Sequence, residues 1–400
     1  RKRFVHPAAQ GANRGAPMAR FLNFRQGPRG WGQDVWMTDA LDVFSSRPAT
    51  DEQTFSDKFR AARAQFTDTR GYLAVASIGL PSRDTVDALR ADLDLWSSAR
   101  RDPQDYDPIL ERTRAHFGRL VGMGADRIAA GAQTSVMTSV IAAAVPEGAE
   151  VLCVDGDFSS IVFPFLQRSG IHVRHVPLAD LASEVTAATW LVVFAHIQSS
   201  TGVVADVAAI TQSASRLGAY TLCDVTQSAG VHPVDASLFS ATVCHSYKWL
   251  CAPRGVAFMT LSPQFERELT PIQAGWYAGG DVWNSCYGPR MQLAADARRF
   301  DVSPAWQAWV GAEPAIRMFA DLDIAEVWDW TSSLGDALCD GLGIARQNRP
   351  IVTWPDPTRG DLEKLVVADI RASGRAGRLR ASFHLWNDRR DVDEVLNALR

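Results

Sequence analysis

The sequence predicts an α/β protein: a mostly parallel central sheet sandwiched by helices, followed by a small α+β domain at the C-terminus. Three observations predict it. From about residue 105, short unbroken apolar runs recur along the chain, and strands buried on both faces of a parallel sheet read as such runs. Between two of them, Asp206 to Leu217 carries Val207, Ile210, Ala214 and Leu217 at spacings of 3, 4 and 3, and Gly218 follows as a stop. Finally, 400 residues at 46% hydrophobic and 22% charged are enough to bury one large α/β unit and a smaller domain.

The elements follow in order. Residues 1–50 are set apart: Arg1, Lys2, Arg3, Arg14, Arg20, Arg25 and Arg29 all precede the first acid, Asp34, among frequent Gly and Pro. Without serine enrichment or an amphipathic period they do not read as a transit peptide. They read as a disordered extension, or as translated sequence upstream of a start at Met18 or Met37. Residues 51–104 are expected to pack on the small domain, 105–328 to form the large domain and 329–400 the small one. Within 105–328 the strands are "AEVLCVD" (149–155), "IHVRHV" (171–176), "TWLVVFAHI" (189–197), "AYTLCDV" (219–225), "ATVCHSY" (241–247) and "GVAFMTL" (255–261). The run "AQTSVMTSVIAAAV" opens a helix whose face carries Val136, Met137, Val140 and Ile141. No internal repeat stands out.

Bulk properties exclude some classes. A net charge of −4 makes no electrostatic case for a nucleic-acid or membrane partner, and the longest apolar run is of strand length. The six cysteines form no CxxC pair and mostly lie in apolar runs. They read as reduced, core-filling thiols of a cytoplasmic protein.

Where chemistry resides follows from the sheet. In a parallel α/β sheet the ligand lies beyond the carboxyl ends of the strands. Asp224 ends "AYTLCD", and Lys248 follows "ATVCHSY" 24 residues later, so both fall at one rim. Only four lysines occur against 37 arginines, and Lys248 is the one set between aromatic residues, Tyr247 and Trp249. A lysine and an acid in one cleft suit pyridoxal 5′-phosphate (PLP). That cofactor needs a lysine for its resting Schiff base and an acid to keep its pyridine nitrogen protonated. An apolar setting lowers the lysine pKa, which makes the neutral amine accessible. A buried structural salt bridge between the two residues is the competing explanation.

Three other features bear on the choice. The helix start at Gln133 and Thr134 offers free N–H groups to a phosphate, although Ser/Thr-rich helix caps are common. Phe158 follows a strand end in "VDGDFSS", where it could stack on a planar ring or simply pack in the core. Arg380 in "GRLRASFHLWN" could clamp a carboxylate bidentately. His172 and His175, three residues apart on a strand, face opposite sides and read as surface or edge histidines rather than a metal pair, and "GMGADR" (Gly122 to Arg127) reads as a turn. His196 also ends a strand, as a cleft or a core residue.

From "YLAVASIGLPSR" (Tyr72 to Arg83) to the C-terminus the chain resembles the class V aminotransferase superfamily, fold-type I PLP enzymes that include isopenicillin N epimerase-like proteins, cysteine desulfurases and kynureninase. The most specific part is "LCDVTQSAGVHPVDASLFSATVCHSYKWLCAPRG". It holds an Asp, a Gln three residues on, Pro-Val-Asp, and the lysine followed by Trp-Leu and Pro-x-Gly. The resemblance implies Lys248 as the Schiff-base lysine, Asp224 as partner of the pyridine nitrogen and Gln227 at the phenolic oxygen. It implies Phe158 in the stacking position, with Ala132 (through its backbone), Gln133, Thr134, His245 and Tyr247 around the phosphate. Arg380 matches the arginine that holds the substrate α-carboxylate. "AGWYAGG" and "ARRFDVSPAWQAWVGAEPA" resemble segments that cross a dimer interface, with Trp276 and Ser303 reaching the neighbouring phosphate. A homodimer with composite active sites is implied.

Departures from the pattern narrow the chemistry. One group of desulfurases carries a persulfide cysteine shortly before the Arg380 position; here "DLEKLVVADIRASGRAGRLR" has none. Ala74 stands where relatives often have Asn, which alters substrate recognition there. The expected function is a PLP-dependent enzyme acting on an amino acid, in which the substrate amine displaces Lys248 and the freed lysine moves the Cα proton. Transamination is the default, and epimerisation or a kynureninase-like or C–S lyase reaction the alternative. A non-catalytic PLP-binding protein is the rival from another class.

Overall fold

The computed structural model describes residues 55–67 and 69–400. The expected N-terminal extension, residues 1–50, lies outside the described residues. Among the described residues the strands are β1 (Ile128–Gly131), β2 (Glu150–Val154), β3 (His172–Val176), β4 (Thr189–Ala195), β5 (Tyr220–Asp224), β6 (Ala241–His245), β7 (Ala257–Leu261), β8 (Ile351–Pro355), β9 (Ser373–Arg375) and β10 (Arg378–Ser382). Interleaved are the helices α1 (Asp57–Arg63), α2 (Arg83–Ser97), α3 (Asp107–Leu120), α4 (Thr134–Ala144), α5 (Ser159–Leu166), α6 (Val207–Leu217), α7 (Pro263–Glu266), α8 (Trp306–Ala320), α9 (Ile324–Leu342), α10 (Gly360–Val367) and α11 (Arg389–Leu399).

A seven-stranded sheet runs in the order β1-β7-β6-β5-β4-β2-β3. Strands β2 to β6 pair in parallel, and β7 runs antiparallel to both β6 and β1. Alternation along each strand sends side chains to opposite faces. Leu152, Val154, Val192 and Phe194 join one core cluster with Phe117 of α3, Ile210 of α6 and Trp309 of α8. Val151, Cys153, Leu191 and Val193 join the other with Met137 and Ile141 of α4 and Phe165 of α5. Helices thus cover both faces, as the unbroken apolar runs require. In α6, Asp206 caps the first turn through the Ala209 N–H, and Gly218 adopts the left-handed conformation that ends the helix.

β1 was not anticipated as a strand. Its sequence, Ile-Ala-Ala-Gly, is four residues long and mostly small, so it lacks the branched or aromatic side chains that mark strands. What holds it is tertiary: it pairs with β7 along its whole length, and Asp301 accepts from its Ala130 N–H at 2.7 Å.

A second sheet, in the order β8-β10-β9, is antiparallel. Residue 329, the expected domain boundary, falls inside α9. The chain at Gly71–Ala76 lies along this second sheet. Leu73 N donates to Arg371 O and Ser382 N to Leu73 O, while Trp386 Nε1 and Asn387 Nδ2 both donate to Tyr72 O.

Two features fix the rim on which chemistry was expected. Neighbouring strands β5 and β6 run parallel with Asp224 in register with Val243, so their carboxyl ends lie side by side. Beyond β6 the chain turns back through Ser246–Ala252. Cys251 N donates to Lys248 O, Ala252 N to Ser246 O, and Ser246 Oγ to Val256 O at 2.7 Å. Cys251 takes a positive φ of 53°, a conformation that costs a non-glycine residue about 1–2 kcal/mol. Gly79 packs against this turn with its N–H on Tyr247 O. A Cβ there would lie 2.1 Å from Lys248 O, so only glycine fits.

Candidate active site

Lys248 and Asp224 are both 5% exposed and face one cleft with Gln133, Thr134, Phe158, Ser160, Thr226, His245, Tyr247 and Arg254. No ion pair or hydrogen bond joins them among the described residues, so the structural salt bridge weighed above is not formed. Asp224 Oδ1 instead accepts from Thr226 N at 2.9 Å. Burial raises the Asp224 carboxyl above its usual range, opposed by Thr226 donation and the positive Lys248. Burial brings the Lys248 amine down to about 8, with Asp224 opposing and Arg380 and Arg375 adding to the shift. Lys248 Nζ lies 5.1 Å from the centre of the Phe158 ring and 5.7 Å from that of Tyr247.

The start of α4 borders the same cleft. Gln133 is its N-cap in an extended conformation, and its exposed side chain makes no capping bond. Ala132 precedes it just after β1, half-buried, and Thr134 is buried. Opposite stands His245, whose Nε2 is buried without a hydrogen-bond partner. Burial lowers its pKa to about 4, with help from Arg254 and Lys248. Its backbone N–H is fixed by Thr226 Oγ1 at 3.0 Å. Tyr247 packs edge-on against His245, with Arg254 4.8 Å from its ring centre. A helix N-terminus, an unsatisfied buried imidazole and a cation suit an anionic group, and an unpaired lysine and acid suit an aldehyde and a ring nitrogen. These donors fit PLP.

Gln227 and Arg380 are not among the residues lining this cleft. Gln227 Nε2 donates to Ala76 O and Ser199 Oγ at 3.0 and 3.1 Å, and its Oε1 accepts from Trp249 Nε1 at 2.7 Å. Arg380, on β10, is 1% exposed. Its guanidinium donates to Ser199 O, to Ser77 Oγ at 2.8 Å and to Ser373 Oγ at 3.1 Å. No acid pairs with it among the described residues.

Other expected residues lie outside the cleft lining. Trp276 packs edge-on between Tyr277 and Trp283. Ser303 is exposed just before α8. His196 is buried against His232 with its Nδ1 unpartnered, a core position. Among the described residues no cluster of three or more His, Cys, Asp or Glu could hold a metal ion.

The sequence left several site residues unnoticed. Thr226 ties Asp224 to His245, and its position two residues after an Asp is an Asx-turn signal. Ser199, which touches both Gln227 and Arg380, follows β4 at the rim where the strand-end rule directs attention. Arg254 and Ser160 give no local signal.

A family model described as aminotransferase class-V matches residues 104–373. The chain is similar to a kynureninase of Deinococcus radiodurans, 29% identical over 60% of this chain and 61% of the relative. It is also similar to an isopenicillin N epimerase of Streptomyces clavuligerus, 28% identical over 43% of this chain and 48% of the relative. In both cases the match spans less than two thirds of the relative. A solved structure of similar fold is the cystine C–S lyase C-DES, in a variant with glycine covalently linked to its PLP cofactor. Its TM-score is 0.75 at 20% identity, covering 84% of this chain and 98% of that one.

Proposed function

The chain belongs to the class-V aminotransferase family, and on that premise we propose that it is a PLP-dependent enzyme acting on an amino acid. The observation that carries this reading is the burial of Lys248 and Asp224 at one rim without a bond between them. Unpaired buried charges are costly, and a ligand bonded to both removes that cost. When bound, PLP supplies an aldehyde that takes up amines and a ring that accepts the electron pair left at Cα. Lys248 would hold the aldehyde carbon, and its amine would move the proton at Cα. Its pKa of about 8 leaves a useful neutral fraction near neutral pH.

Asp224 holds the proton on the ring nitrogen, and Phe158 covers a face of the ring. Ala132, Gln133 and Thr134 at the start of α4, with His245 and Tyr247, hold the phosphate. Gln227 would serve the phenolic oxygen, and Arg380 would take the substrate α-carboxylate. We assign Trp276 and Ser303 to the phosphate of a partner subunit, in a homodimer with composite sites. The free cysteines support a reducing, cytoplasmic setting.

Transamination is the reaction proposed. The sequence between Cys339 and Arg380 contains no cysteine, which speaks against a persulfide carried on that loop. Likeness to a kynureninase and an epimerase supports a second reading, Cβ–Cγ cleavage or inversion at Cα on the same residues.

The test is the visible absorption of purified protein given PLP, before and after borohydride. Wild type should show a band that borohydride bleaches, Lys248→Ala should lack it, and Asp224→Ala should hold the cofactor weakly. A wild type that stays colourless contradicts the proposal.

A further inference from the structure

Two arginines reach one serine beside the cleft. Strands β9 and β10 pair antiparallel, with Arg375 opposite Arg378 and Ser373 opposite Arg380. The connection is a two-residue turn, and Ala376 and Gly377 both have positive φ, 48° and 71°. That is the tight hairpin turn whose twist matches the strands, so Arg375 is the last residue of a strand rather than part of a long loop. From adjacent strands Arg380 Nη2 donates to Ser77 Oγ at 2.8 Å and Arg375 Nη2 to the same oxygen at 3.3 Å. The other contact of the Arg375 guanidinium is Gly374 O at 2.8 Å. Among the described residues no carboxylate forms an ion pair with either arginine.

The charges are therefore unbalanced on this side of the cleft. Burial, together with the neighbouring positive Arg375, lowers the Arg380 pKa to about 10. The same Arg375 charge reaches Lys248 and contributes to its lowered pKa. Arg375 and Arg380 meet at Ser77, and the acid that lines the cleft, Asp224, is claimed by the ring nitrogen in the reading above. Cations preorganised without counter-ions recognise anions. The α-carboxylate satisfies Arg380 alone. Arg375 is solvent-accessible and presents a planar fork suited to a second oxyacid.

We infer that Arg375 is a specificity-determining residue that binds a second anionic group, so that the substrate class is amino acids with an acidic side chain. This rests on the proposed role of Arg380.

The experiment compares two four-carbon acids, succinate and butyrate, by calorimetric titration of PLP-loaded protein whose visible band has been recorded first. Wild type should bind succinate more tightly by about tenfold, the effect of one charge-assisted pair. Arg375→Gln should bring the two affinities within about twofold while leaving butyrate unchanged. Arg375→Lys should keep part of the preference, and Arg380→Gln should weaken both acids. Arg375 is exposed, and a melting curve checks that the variant folds. A visible band with no preference in wild type, including no binding of either acid, overturns the inference alone. So does a preference that survives Arg375→Gln. A missing band instead removes the functional reading beneath it.

Discussion

At the scale of single residues, the protonation of Lys248 decides when the site can load. Burial brings it to about 8, opposed by Asp224, so the reactive neutral amine appears well below the ordinary lysine range. The rate at which cofactor-free protein takes up PLP should rise with pH and level off above about 8. A rate still climbing steeply past about pH 10, the unperturbed lysine range, would show that burial does not tune this amine. The same shift bears on stability. Below about 8 folded and unfolded chains both hold the proton. Between there and the ordinary lysine value only the unfolded chain holds it, so the cofactor-free fold gains stability as pH rises through that window. Asp157 is a half-buried acid between Gly156 and Phe158. Burial and the Asp224 charge raise it to about 6, opposed by the Ala195 N–H. Its carboxylate accepts from Ala195 N, Gln198 Nε2 and Phe158 N, which fixes the turn that presents Phe158 to the cleft.

At the scale of elements, one buried ion pair anchors the edge of the main sheet. Arg114 of α3 donates to both oxygens of Asp301 at 3.1 and 2.7 Å and to Ile128 O at 2.6 Å. Both side chains are nearly inaccessible, at 1% and 3%. Breaking such a pair leaves an uncompensated charge, so Arg114→Met should cost about 3–5 kcal/mol in denaturant unfolding of the cofactor-free protein. Replacing both, with Asp301→Leu added, should cost about 1–3 kcal/mol, because the Ala130 N–H then stays unsatisfied. Equal losses in the two variants would mean that the pair is not coupled.

Elements also differ in how legible they are. Strands β2 and β4 to β7 stand out because nearly all of their positions are buried and most are apolar; β3, at the sheet edge, is partly exposed and carries two histidines and an arginine. The start of α4 stands out because Gln133 and Thr134 break an apolar stretch. β1 does not, because its strand state is imposed by β7 and Asp301. The pinning of Arg380 by Ser77, Ser199 and Ser373 is equally hidden. The first two serines are 303 and 181 residues away in sequence, and nothing local distinguishes them from other serines. The residues that carry charge into the cleft could be read; those that aim them could not.

At the scale of the whole molecule, a family fold is combined with a chain that has almost abandoned lysine. Besides Lys248 only Lys2, Lys58 and Lys364 occur. Lys58 is exposed, and Lys364 donates to Leu399 O at the surface. That scarcity makes the central claim open to a direct measurement. PLP-loaded protein is reduced with borohydride and digested, and the pyridoxyl group is located by mass spectrometry. The account predicts the label on the peptide containing Lys248 and on no other lysine. Label on Lys58 or Lys364 at comparable yield, or no label on Lys248, would contradict it.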